Sequence, residues 1–450
     1  METSPESVHP SEASYGEVVG FLTDLIRIDT SNPTSPERPA AEYVAARLAE
    51  AGLEPQLFEA QPGRTSVVAR FEGSDPSADA LLVHGHLDVV PADPADWSVH
   101  PFAGEVREDA DGEPTVWGRG AVDMKNMDAM TLSVVRRMIR EGRRPKRDIV
   151  IAFLADEEAG GDQGAKFLAA KHPKLFDGCT EAISEVGGYS YQINPDLRLY
   201  LIETAQKGLA WMRLNAKGRA GHGSMLNDDN AVTELAGAVA RIGSHSFPVT
   251  LTPTVRDFLN QVCDAMGVPF DPADPEAAVA LLGPLARFIG ATLRHTANPT
   301  MLEAGYKTNV IPERASAVID GRFLPGGDAE FLAKIDELAG PNVTRENIHF
   351  DRSVEAPFDA PIVDAMLDAL RTEDPGARTV PYCLSAGTDN KTFTALDVSG
   401  KGGMRGYGFV PLRLTPGLDF AAMFHGVDER VPVSALDFGC RVLDRFLSDY

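Results

Sequence analysis

Two histidines and a short list of acids stand where this chain could hold metal and activate water. Leu81-Leu-Val-His-Gly-His-Leu-Asp-Val-Val-Pro91 is an apolar run whose end presents His86 and Asp88. Residues two apart on an extended backbone face the same way, so Asp88 can accept a hydrogen bond from the ring nitrogen of His86 that does not bind metal. The plainer reading is a pair of polar residues at a strand end. Trp117-Gly-Arg-Gly-Ala-Val-Asp-Met-Lys-Asn126 brings Asp123 to the start of an expected helix. There it could cap the helix or bridge two cations about 3.5 to 4 Å apart, roles that compete for the same oxygens.

Ile149-Val-Ile-Ala-Phe-Leu-Ala-Asp-Glu-Glu-Ala-Gly-Gly161 runs an apolar strand into three consecutive acids. Adjacent side chains diverge, so of Glu157 and Glu158 one can ligate metal while the other serves a water as general base. A solvated acidic loop is the alternative. Glu185 stands where the run Glu181-Ala-Ile-Ser184 ends, and His425 precedes a glycine turn in Ala422-Met-Phe-His-Gly-Val-Asp-Glu-Arg-Val-Pro432. Together these motifs supply two histidines and three or four carboxylates, mostly at strand ends, where ligands gather in open α/β sheets. Mixed imidazole and carboxylate donors suit zinc, with cobalt or manganese as substitutes, and a dinuclear site follows.

The elements that must position these residues alternate. Helices are expected over Tyr15–Ile28, Arg38–Ala51 (closed by Gly52), Met124–Glu141 and Gly164–Lys171. Short apolar runs at Ser66–Phe71, Ala80–Val83, Asp148–Leu154 and Glu181–Ser184 read as strands of an α/β sheet covered on both faces. From Leu209 to Lys217 the pattern changes to strict alternation. A glycine-rich turn (Gly218 to Gly223), a helix from Asn230 to Ile242, a strand from Ala315 to Phe323, a helix from Ala329 to Leu338 and a strand at Asn347–Phe350 then suggest an inserted α+β unit. The extra Pro-rich, partly helical stretch Ser244 to Pro299 has no clear place in it. The expected organisation is therefore residues 15–206, an insertion at 207–355, and a return to the first domain at 356–450.

Composition narrows the function classes. The 450 residues carry 42 Lys plus Arg against 66 Asp plus Glu, a formal charge of −24, with no basic stripe for a nucleic-acid backbone. The richest apolar stretch, Ala277 to Leu293, contains Pro284 and Arg287, which is no transmembrane span. The N-terminal segment, acidic and rich in Ser and Pro, reads as a disordered tail. Cys179, Cys263, Cys383 and Cys440 are too scattered for a disulfide framework or zinc ribbon, so reduced, buried thiols and a cytoplasmic location are expected.

The motifs, in this order, resemble those of the dizinc exopeptidase and deacylase family that includes acetylornithine deacetylase, succinyl-diaminopimelate desuccinylase, aminoacylase and the glutamate carboxypeptidases. The resemblance runs from the first helix to Leu447. It implies a zinc-exopeptidase-like catalytic domain, with a mixed sheet covered by helices on both faces, plus an inserted ferredoxin-like α+β lid and dimerisation domain. It implies two zinc ions per chain: one held by His86 and Glu185, the other by Glu158 and His425, with Asp123 bridging. Glu157 would be the general base and Asp88 the partner of His86. In Gly218-Arg-Ala-Gly-His-Gly-Ser-Met225, His222 is similar to a family histidine that reaches into a partner subunit's active site to stabilise an oxyanion. Asn309 and Arg322 match substrate-holding positions, and Ser385-Ala-Gly-Thr-Asp-Asn390, with Thr388 and Asp389, resembles a loop lining the cleft. Asn126, Gly223 and Thr308 depart from common family residues without removing a ligand or the base.

The implied activity is metal-dependent hydrolysis of an amide bond in a small peptide or N-acyl amino acid, of carboxypeptidase or dipeptidase type, by a homodimer. The alternative is a biosynthetic N-acyl amino acid deacylase. A non-catalytic relative would be expected to have lost a ligand or the base, and all are present.

Overall fold

The structure, a computed structural model, describes residues 16–109, 112–194 and 197–450. The N-terminal tail and Tyr15, the expected start of the first helix, lie outside the described residues. The chain forms two compact units: the first takes residues 1–202 as far as described, with Asp359–Thr379 and Thr392–Tyr450, and the second takes Glu203–Phe358 and Val380–Lys391.

In the first unit a mixed sheet runs in the order Gln56–Gln61, Arg64–Phe71, Ile149–Leu154, Ala80–His86, Cys179–Ser184, Arg405–Gly408, then Leu197–Gln206, which begins in this unit. Ala80–His86 and Ile149–Leu154 are buried at every position, because helices cover both faces. This is why their sequences are near-continuous apolar runs. On one face Leu82, Val150, Ala152 and Leu154 pack with Ala165, Leu168, Phe176 and Phe393; on the other, helices Arg38–Ala51 and Lys125–Arg140 lie against the strands.

Parallel register decides where the chemistry emerges. His86 lies opposite Leu154 and Val83 opposite Ile183, so three strands run out at one edge, delivering His86, the Glu157–Glu158 turn and Glu185 together. A small antiparallel sheet of Glu105–Glu108, Pro114–Trp117 and Arg430–Pro432 brings the Asp123 loop beside the segment that follows His425.

The second unit is built on a four-stranded antiparallel sheet ordered Thr296–Ala304, Arg314–Phe323, Gly208–Lys217, Val343–Asp351. Helices Ala231–Ser244 and Asp328–Ala339 cover one face around Met212, Leu214, Leu235, Ile319, Phe331 and Ile335. Sequence order and sheet order together make this the ferredoxin-like β-α-β-β-α-β arrangement.

The strand Thr296–Ala304 comes from the stretch with no clear place in the sequence. Its residues are mostly exposed, so they carry no alternating apolar signal, and Pro299 demotes the segment further. The rest of that stretch forms helices at Pro253–Ala265, Pro275–Ala280 and Ala286–Gly290, which bury Val255, Phe258, Leu259 and Val262 among other residues.

Val380–Lys391 also belongs to this unit, where the sequence division placed it in the returning domain. Gln206 exchanges hydrogen bonds with Thr388, through the Thr388 amide (2.9 Å) and hydroxyl (2.8 Å), and Lys391 Nζ donates to the Lys207 carbonyl (2.7 Å).

Candidate metal centre

The side chain of Asp123 does not cap the helix that follows it. The N-cap position falls to Met124 without a side-chain hydrogen bond, and the helix begins at Lys125. The Asp123 carboxylate is instead split between two imidazoles: Oδ1 lies 3.1 Å from His86 Nε2 and Oδ2 lies 3.3 Å from His425 Nε2. Glu185 Oε2 stands 3.4 Å from His86 Nε2, and Glu158 Oε2 stands 3.1 Å from His425 Nε2. Donor atoms of His86, Asp123 and Glu158 lie within 4.8 Å of one another, as do those of His86, Glu157 and Glu185. Four residues from four other segments, His86, Glu158, Glu185 and His425, thus gather around the Asp123 carboxylate, with Glu157 beside them.

The expected link from His86 to the Asp88 carboxylate needs correction. His86 Nδ1 donates to the Asp88 backbone carbonyl at 2.9 Å, while the nearer carboxylate oxygen is 3.6 Å away. This bond still fixes the tautomer, leaving the Nε2 lone pair for a cation. The Asp88 carboxylate has other partners: Oδ1 accepts from the Glu157 amide and Oδ2 from the Glu158 amide, each at 3.1 Å. Asn32 Nδ2 donates to Asp88 Oδ2 (2.9 Å) and to Asp156 Oδ1 (3.1 Å). Asp88 therefore holds the acidic turn through its backbone. The sequence signal for Asn32 was only that of a turn residue before Pro33.

Backbone geometry marks the same loops. Asp156, Val186 and His425 have φ of 69°, 59° and 56°. Left-handed conformations of this kind cost non-glycine residues energy, most of all β-branched valine, and persist where surrounding contacts fix them. Between His84 and His86 the glycine leaves room for neighbouring side chains: a Cβ on Gly85 would come within 2.3 Å of Asp128 Oδ1 and 2.8 Å of Met124 Cε, so both would have to shift.

The electrostatics favour a cation here. Burial works against protonation of His86, but Glu185 and Asp123 beside it hold the ring well above the usual histidine range. Hydrogen bonds to Asp123 and Glu158 push His425 up to about 10. Burial pushes Glu185 up to about 7, and burial together with Asp123 raises Glu158. Asp123, despite its burial, is held well below the carboxylate range by the two histidines. Glu158 Oε1 is buried with no hydrogen-bond partner among the described residues. Buried acids crowded against imidazoles in this way take up protons unless a divalent cation neutralises them, and imidazole with carboxylate oxygen is a zinc donor set.

The other residues singled out in the sequence lie in the second unit. His222 is exposed on the short strand Gly221–His222, paired with Val310–Ile311. Its Nδ1 accepts from the Ser224 amide (3.2 Å), which places the proton of a neutral ring on Nε2. The Asn309 carbonyl accepts from the Gly223 amide (2.9 Å). Arg322 is held by Asp320 through Nε (2.7 Å) and Nη2 (3.2 Å). Thr388 and Asp389 are buried.

A cluster of imidazoles and carboxylates, buried except at His425, at the run-out edge of parallel strands defines a metallohydrolase-type centre. The chain belongs to peptidase family M20/M25/M40, whose model matches residues 82–449. It is similar to aminoacylase-1 of Pongo abelii, 28% identical over 453 residues that span 98% of this chain and 96% of that protein. In fold it is similar to the M20 family metallo-carboxypeptidase Sso-CP2 from Sulfolobus solfataricus, with a TM-score of 0.70, 18% identity, and 96% of this chain and 98% of that one covered. The di-peptidase Dug1p from Saccharomyces cerevisiae superposes with a TM-score of 0.67 at 17% identity, covering 97% and 98% of the two chains. The protein is thus a metal-dependent hydrolase of amide bonds. Among the described residues no helix is long and apolar enough to cross a membrane.

Proposed function

We propose that this chain cleaves the amide bond of a small peptide or N-acyl amino acid at a centre of two zinc ions, as a carboxypeptidase or dipeptidase. The observation that carries this reading is the Asp123 carboxylate, with one oxygen toward His86 and the other toward His425. His86 and Glu185 would hold one ion, Glu158 and His425 the other, with Asp123 between them. Bound there, the metal supplies Lewis acidity that polarises the carbonyl and acidifies water.

The chain's own groups do the rest. Glu157, held at its amide by Asp88, takes the proton of the attacking water and returns it to the leaving amine. His222, reaching across the dimer into the other copy's centre, presents Nε2–H as a donor to the oxyanion, in keeping with its tautomer. Arg322, its guanidinium plane set by Asp320, and Asn309 bind the substrate's carboxylate end.

A homodimer through the second unit is part of the proposal. Thr296–Ala304 is an edge strand whose Met301 and Leu302 are exposed by 55% and 62%, a surface suited to a second copy. Four free, buried cysteines support a reducing, cytoplasmic setting. One observation favours a second reading, N-acyl amino acid deacylation: the similarity to aminoacylase-1 over nearly the whole of both chains.

The test is metal analysis of the purified protein, with hydrolysis of a panel of dipeptides and N-acyl amino acids measured with and without chelator. About two zinc ions per chain and chelator-sensitive cleavage are expected, and the preferred substrate separates the two readings. Full activity in metal-free protein would overturn both.

A further inference from the structure

Glu429 is wholly buried, yet it lies beyond the residues the motifs single out. Its Oε1 accepts from the amides of Val122 (2.6 Å) and Asp123 (2.8 Å); its Oε2 accepts from the amide of Gly120 (3.0 Å) and from Arg119 Nη1 (2.8 Å). Arg119, also buried, packs over the Trp97 ring and sends Nη2 to the carbonyl of Gly426 (2.9 Å), the residue after His425. The Gly118 amide donates to the Glu429 carbonyl (2.9 Å), and Arg430 pairs with Trp117. A single buried ion pair therefore binds the loop that ends in Asp123 to the turn that carries His425, across 310 positions of sequence.

His425 needs such an anchor. Its side chain is 57% exposed and its φ is 56°, so its own packing does little to fix it. His86 and Glu185 are placed differently, at the ends of buried parallel strands. If the turn that carries His425 drew away from the Asp123 loop, His425 Nε2 would leave Asp123 Oδ2 while the contacts of His86 with Asp123 Oδ1 and with Glu185 stayed intact. The spacing between two ligands of one ion is thus set by residues that touch no ion.

We propose that Arg119 and Glu429 are positioning residues that fix the Asp123–His425 spacing and so the affinity of the ion these residues share with Glu158. The proposal rests on the dinuclear reading above. An ion pair that served stability alone would act on the whole fold, not on one of two ions.

The experiment compares the full chain with Arg119→Lys and Glu429→Gln. Lysine keeps the charge and can reach Glu429, but it lacks the fork that spans to Gly426. In Glu429→Gln the carboxamide nitrogen would set a donor against donors. Cobalt(II) is titrated against a chromophoric chelator and the visible spectrum is followed; kcat and KM are measured at limiting and saturating cobalt, and thermal unfolding is recorded without metal.

The unaltered chain should bind two ions. Each variant should bind the first as tightly and the second about 10- to 100-fold more weakly. At limiting cobalt kcat should fall with KM nearly unchanged, and excess cobalt should restore kcat. Two equal, unaltered affinities in folded Arg119→Lys would overturn the positioning role alone. So would a parallel loss of both ions accompanied by a lowered melting temperature. Failure of the unaltered chain to bind two ions would overturn the dinuclear reading and the positioning role with it.

Discussion

The two sheets solve the burial problem in opposite ways. In the first unit Ile149–Leu154 is buried at every position; in the second, Gly208–Lys217 alternates between buried and accessible residues. A sheet covered on both faces leaves its strand ends as the places where polar groups can emerge, and there the acids and histidines gather. A sheet covered on one face offers its open side and its turns, and there His222 and Arg322 stand. The buried lysines, by contrast, are a feature the two units share. In each unit a buried lysine closes a helical end: Lys125 Nζ donates to Leu25 and Ile28 carbonyls, and Lys207 Nζ to Ala291 and Arg294 carbonyls. Each unit fixes its own framework with a buried cation, but among the described residues only the first gathers acids and histidines into a cluster able to hold a metal.

The largest effect that would break this comparison is catalytic. Glu157→Gln should lower kcat by on the order of 10²- to 10⁴-fold while metal content stays unchanged; normal turnover would remove Glu157 from the base role. His222→Ala, in the second unit, should cost about 10²- to 10³-fold, again in kcat. A change confined to KM would make His222 a binding residue instead.

Packing sharpens the contrast further. Ile151→Ala, in the doubly covered sheet, should destabilise the fold by about 2–5 kcal/mol in denaturant unfolding. Trp211→Ala, on the accessible face beside His349, should cost about 1 kcal/mol or less. Similar losses at both positions would mean that the second sheet's open face is covered in solution. Leu302→Asp on the edge strand, measured by light scattering, would then show whether a second copy is the cover: a fall from dimer to monomer is expected.

The smallest effect is a pH dependence. Burial pushes Lys207 down to about 8 from an ordinary 10.5. Between these values the unfolded chain holds a proton that the folded chain has lost, so stability should rise with pH across that window. Lys207→Met should lack this rise, and an identical slope in both proteins would assign it elsewhere.

Much of this was legible in the sequence. The strand runs expected at Ala80–Val83, Asp148–Leu154 and Glu181–Ser184 and the helices expected at Arg38–Ala51 and Met124–Glu141 follow from local pattern, whereas the grouping of His86, Glu158, Glu185 and His425 around Asp123 came only as what the family resemblance implies. The parts that were not legible share a cause. Thr296–Ala304 is exposed, so burial left no alternation in it. Asn32, Arg119 and Glu429 act through hydrogen bonds that join segments far apart along the chain, and a lone acid or arginine in a loop has no periodicity to betray it. The Asp88 carboxylate was assigned from spacing to the ring of His86. Spacing fixes which way a side chain faces, not which of several nearby donors it meets.

By itself, the sequence determined the alternation that builds two kinds of sheet, and the residue types able to bind metal. These are set by hydrophobic period and by side-chain chemistry, both local. Only the tertiary structure decided that Asp123 faces two histidines rather than its own helix, that Asp88 serves the backbone of the acidic turn, and that Glu429 ties the loops of Asp123 and His425 together. Those outcomes depend on parallel register and on chain segments more than 300 residues apart meeting in the interior. There an unpaired polar group is costly, so each buried donor and acceptor takes the partner the fold brings within reach.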